Sequence, residues 1–91
     1  MMNATDRRLK HLAEGLEREY PNLTDRARAY VSPVYQVLAD SAPDDFATLR
    51  KWLRDARRDG LTHDEIALKL LADLYATVRS AEIEDECQIE H

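Results

Sequence analysis

Apolar side chains recur along this chain at spacings of three and four, the period of one helical face, without the sustained alternation a half-buried strand requires. Projected at about 100° per residue, Leu9, Leu12, Ala13, Leu16 and Tyr20 form one narrow stripe. They predict a first helix with Thr5 as N-cap and an end at Tyr20-Pro21, because the residue before a proline is pushed out of helical geometry. A second helix capped by Thr24, with Leu23 just before the cap, puts Ala27, Tyr30, Val31, Val34, Val37 and Leu38 on one face. That face keeps its phase across Ser32-Pro33, with Pro33 on the polar side. One helix kinked at Pro33 is therefore expected, with a new helix capped by Ser32 as the alternative.

The small, proline and acidic residues of Ser41-Ala42-Pro43-Asp44 suit the entry of a third helix that runs to Gly60, with Phe46, Leu49, Trp52, Leu53 and Ala56 as its core face. Thr62-His63-Asp64-Glu65 matches the capping box, in which the threonine hydroxyl and the glutamate satisfy free amides reciprocally. A fourth helix should run from about His63 to about Ala81 and fray into the acidic stretch that follows. Its apolar residues Ile66, Ala67, Leu68, Leu70, Leu71, Leu74, Tyr75, Val78 and Ala81 cover an arc of about 200°, wider than one contact face needs. Either this is the central helix, or Leu68 and Tyr75 at its edge meet a second copy of the chain in a homodimer.

Composition agrees with the periodicity. Two glycines and three prolines among 91 residues are too few for a turn-rich β fold. A length of 91 residues leaves room for one core. The expectation is an all-α, small single-domain bundle of about four helices over residues 1–81, followed by an acidic tail, 82–91, for which disorder is the simplest reading.

Charge is segregated. Residues 1–60 hold 11 Lys/Arg against 10 Asp/Glu, whereas residues 61–91 hold 2 against 8. The net charge of −5 weighs against nonspecific nucleic-acid binding. Within the third helix, Arg50, Lys51, Arg54, Arg57 and Arg58 nevertheless project onto one continuous arc beside the apolar face. Arg50–Arg54 and Arg54–Arg58 are like-charge pairs four apart, each costing a few tenths of a kcal/mol (about 0.2–0.5) in an isolated helix. A solvated face with counter-ions accounts for such a stripe. So does an acidic partner protein, a phosphate backbone, or the chain's own tail, where Glu82, Glu84, Asp85, Glu86 and Glu90 surround Ile83 and Ile89.

The stretch Gly60-Leu61-Thr62-His63-Asp64-Glu65-Ile66-Ala67-Leu68-Lys69-Leu70 resembles the opening of a helix-turn-helix unit, with Leu49, Leu53 and Ala56 upstream on its supporting helix. The resemblance implies a DNA-binding transcriptional regulator. It covers about a quarter of the chain and breaks at Leu71-Ala72-Asp73-Leu74-Tyr75, where the family's glycine-containing turn is replaced by helix-favouring residues. Downstream, Thr77, Arg79 and Ser80 are the groups left to contact bases or phosphates.

Catalytic chemistry finds little purchase. No nucleophile stands beside a base, and no glycine-rich phosphate loop is present. Asp44 and Asp45 suit a helix start better than an acid–base pair, and His11 and His63 project to polar positions. Cys87 and His91, four apart, are two ligands where a metal site needs three or four. The single cysteine fits a reducing compartment. The first eight residues lack the apolar core of a signal peptide, so a cytoplasmic location is expected. The sequence therefore predicts a non-enzymatic interaction module without catalytic residues, metal or cofactor: an adaptor, regulator or inhibitor that binds its partner through the basic stripe Arg50, Lys51, Arg54, Arg57 and Arg58 and the acidic segment Glu82, Glu84, Asp85 and Glu86. Another protein is its expected partner. Nucleic acid is the second choice, and a membrane is not expected.

Overall fold

The computed structural model describes the backbone of residues 2–89 and the side chains of residues 2–84. It holds four helices: α1 (Ala4–Glu19), α2 (Leu23–Ser41), α3 (Pro43–Arg58) and α4 (His63–Ile89), with no strand among the described residues. The all-α bundle expected from the periodicity is the fold.

The helix boundaries follow local chemistry, with two corrections at the caps. The N-cap of α1 is Asn3 rather than Thr5, its side-chain oxygen accepting from the Asp6 amide at 2.8 Å. That of α2 is Asn22 rather than Thr24, accepting from the amides of Thr24 and Asp25 at 2.8 and 3.2 Å. Each asparagine lies two residues before the expected threonine, and each threonine stands inside the helix. Tyr20 ends α1 ahead of Pro21. Pro43 occupies the first turn of α3, where its missing N–H costs nothing.

Gly60, with φ +85°, closes α3. The Gly60 amide donates to the Arg57 carbonyl and the Leu61 amide to that of Ala56, the Schellman arrangement that only a residue tolerant of positive φ permits cheaply. The capping box then opens α4: the Glu65 amide donates to Thr62 Oγ1 at 3.2 Å, and the Thr62 amide to Glu65 Oε1 at 3.3 Å.

The second helix is a single element, as expected, while two other expectations change, the placement of Pro33 and the end of the fourth helix. The second helix runs from Leu23 to Ser41 as one element through Pro33, although Pro33 cannot donate to the Ala29 carbonyl. Pro33 is half-buried and lines a groove against α1 rather than lying on a polar face. The fourth helix continues to Ile89 instead of ending near Ala81. Glutamate and alanine are good helix formers, and Lys10 of α1 pairs with Glu82 at 3.1 Å, fastening this end of α4 to its neighbour.

Helix α2 is the one on which all the others pack, and α4 packs on both α2 and α1. The wide apolar arc of α4 is consumed there: Ile66, Ala67, Leu70, Leu71, Leu74, Val78 and Ala81 are buried, together with Leu9, Ala13 and Leu16 of α1 and Ala27, Tyr30, Val34 and Val37 of α2. Helix α3 packs chiefly on α2 and buries Leu53 and Ala56. Because its contact is one narrow seam, Phe46 and Leu49 are half-buried and Trp52 is 36% exposed, not the core residue its spacing suggests. Tyr20, expected at the end of the α1 stripe, is likewise exposed because it falls beyond the last turn.

Candidate functional site: the basic flank of a peripheral helix

Since α3 gives one seam to α2, the rest of its circumference is free to carry charge. Arg50, Lys51, Arg54, Arg57 and Arg58 are all exposed, and they occupy one flank of the helix. Asp44 and Asp55 border this arc next to Lys51, and Asp59 and Trp52 follow further round the helix. Asp55 is one turn from both Lys51 and Arg58, yet none of the five basic residues forms an ion pair with any described residue. The salt bridges lie elsewhere. Arg28 of α2 grips Asp64 of α4 through two parallel hydrogen bonds of 2.8 and 2.7 Å, and Arg8 of α1 reaches Asp40 of α2 at 3.6 Å. The Arg28 hydrogen bonds and charge hold the Asp64 carboxyl below its ordinary range.

One end of the stripe is anchored to aromatic side chains that sequence reasoning did not connect with it. The Arg50 guanidinium sits 5.8 Å from the centroid of the Phe46 ring, within the range of a cation–π contact. Phe46 in turn meets Tyr35 of α2 edge to face, with centroids 5.4 Å apart. Burial pushes the Tyr35 hydroxyl above its ordinary pKa, while the charges of Arg57 and Arg50 pull it the other way, placing both guanidinium groups in the field of the same phenol. The result is a basic flank with an aromatic hinge into the core. Its existence depends on how α2 docks against α3, which no spacing within a single helix reveals.

The described carboxylates of the acidic segment are not paired with this flank. Glu82 is engaged by Lys10 on α1, and Glu84 is exposed. The rise of α4 between His63 and Glu82, about 28 Å at 1.5 Å per residue, carries Glu82 away from Arg57 and Arg58. The side chains of Asp85 and Glu86 lie outside the described residues, as do those of Cys87 and His91. Among the described residues no group of three potential metal ligands is found.

Leu68 and Tyr75, named as a self-association edge, are half-buried and packed against the core. The Tyr75 hydroxyl is buried with no hydrogen-bond partner among the described residues. The large apolar side chains that do reach the surface are Tyr20, Leu23, Trp52 and Ile83. The helix-turn-helix resemblance meets an unbroken α4: Leu71–Tyr75 is helical, so no turn separates the Glu65-Ile66-Ala67 segment from Thr77, Arg79 and Ser80. No described helix is long and apolar enough to cross a membrane. Comparisons with protein-family models, curated proteins and solved structures found no match.

Proposed function

We propose that this chain is a non-enzymatic protein-interaction module of the cytoplasm, an adaptor, regulator or inhibitor, that docks an acidic surface of a partner protein on the basic flank of α3. The observation that carries this reading is five exposed cations on one helix flank with no carboxylate paired to any of them among the described residues. Like charges four apart repel, and the salt bridges among the described residues lie on other elements, so an acidic partner would relieve a repulsion that no described carboxylate relieves. Rim charges of this kind steer encounter and set partner choice more than they add affinity. A partner offering a row of Asp and Glu fits the basic flank, and the acids beside Trp52 confine it to that flank.

A capture experiment tests the proposal. Purified protein is immobilised, exposed to lysate of its source cells with and without nuclease, and washed with rising salt. A partner protein that survives nuclease and elutes with salt supports the docking reading. Recovery of nucleic acid, or loss of every partner on nuclease treatment, overturns it in favour of phosphate contact by the same arginines.

A further inference from the structure

A second site lies away from the basic flank. All four helices contribute to a cleft of about 410 Å³, within the size range of small-molecule sites. Its apolar lining includes Leu9, Val34, Leu49, Leu70 and Leu74, and its polar lining includes half-buried Asp6 and, at exposed positions, Asp45 and Asp73. No lysine, arginine or histidine lines it. None of the three carboxylates is in an ion pair with any described residue.

Helix dipoles explain two of these acids and not the third. Asp6 and Asp45 stand in the first turns of α1 and α3, where negative charge is favoured. Asp73 stands in the middle of α4, far from either terminus. Each helix start supplies about half a positive charge, so three carboxylates leave the cleft with a net charge of about −2. Tyr30 is an independent pointer to a ligand. It is 1% exposed and lines the cleft, and its hydroxyl makes no hydrogen bond to any described residue. Unlike the Tyr75 hydroxyl, it is not sealed from solvent, so it opens into the cleft, where a ligand can take the place of water. The nearby charge of Asp73 adds to its burial in keeping it protonated. A hard metal ion would leave the leucine and valine lining unused, whereas an apolar body bearing one positive charge uses both halves of the cleft.

We propose that this cleft binds a small organic cation, an alkyl- or arylamine whose hydrocarbon rests on the leucine and valine lining and whose ammonium is held by Asp73 and Asp45, with the Tyr30 hydroxyl as a further acceptor. The site is independent of the α3 flank, so either proposal can fail without the other.

The probe is 4-phenylbutylamine, compared with 4-phenylbutanol, which has the same body without the charge. Calorimetry at neutral pH should show the amine binding at least about tenfold tighter than the alcohol, as expected for a hydrogen bond to a charged group. Amide chemical shifts should move over Leu70–Thr77 and Asp45–Leu49. Asp73→Asn should weaken the amine about tenfold and leave the alcohol unchanged. Tyr30→Phe, which preserves packing, should weaken it by a smaller factor. Equal binding of amine and alcohol to the wild-type chain, no saturable binding of the amine, or shifts confined to another surface would each overturn the proposal whatever the variants do.

Discussion

The bundle divides into two regions built to different rules. Helices α1, α2 and α4 pack on one another, each against both of the others, and they hold nearly all of the buried side chains. Helix α3 leans on α2 and buries Leu53 and Ala56. In the first region the apolar period leaves little freedom in which residues occur. In the second, most positions face water, and five cations without an ion pair to any described residue share one flank there. A lightly anchored helix can carry self-repelling charge because its contribution to the core is small, and a docking surface on it disturbs the rest of the fold least.

Core truncation separates the two regions most strongly. Leu71, 2% exposed on α4, should cost about 4 kcal/mol as Leu71→Ala, against about 2 kcal/mol for Leu53→Ala on α3. Both are read from urea unfolding, and an equal or reversed order would break the comparison. Native-state hydrogen exchange should find the α3 amides opening at a lower free energy than those of α2 and α4. Uniform protection across the four helices would make α3 as integral as the rest.

Smaller effects sharpen the picture within the three-helix region. Tyr75→Phe removes a buried hydroxyl without a partner and should raise stability by about 1 kcal/mol; a loss would mean that the hydroxyl has a role the fold does not display. The smallest effect belongs to the exposed Arg28–Asp64 pair. Its folded-state carboxyl pKa is depressed, so its contribution is present above the ordinary carboxylate range and is lost as pH falls through the folded value. Asp64→Asn should slightly lower the melting temperature at neutral pH and leave it unchanged in strong acid. A deficit that persists in strong acid would assign the effect to packing rather than charge.

Much of the fold was legible because periodicity and capping point the same way. The Thr62–Glu65 box and the Gly60 stop were both readable, since each is a local device whose partners are three to five residues apart. The asparagine caps were missed because Asn and Thr compete as caps on nearly equal terms, and two residues of register decide between them. The extent of α4 was missed because acidic residues near a helix C-terminus oppose its dipole, while the Lys10–Glu82 contact that fastens it is tertiary. Trp52 was misplaced because spacing gives a face and not the width of the seam.

The stripe itself was legible as an arc of one helix. Its exposure, its lack of ion pairs with described residues and its tie through Phe46 to Tyr35 were not, since they depend on what the other helices place opposite. The four-helix cleft was invisible for the same reason: its three carboxylates come from three helices.

The central claim is that the basic flank of α3 is the docking surface. The most direct measurement compares Arg54→Glu plus Arg58→Glu on α3 with Arg7→Glu plus Arg18→Glu on α1, two pairs that change net charge equally, in capture of the partner recovered by the wild-type chain. With helicity unchanged in both, the α3 pair should abolish capture and the α1 pair should retain it. Equal retention by the two would contradict the account.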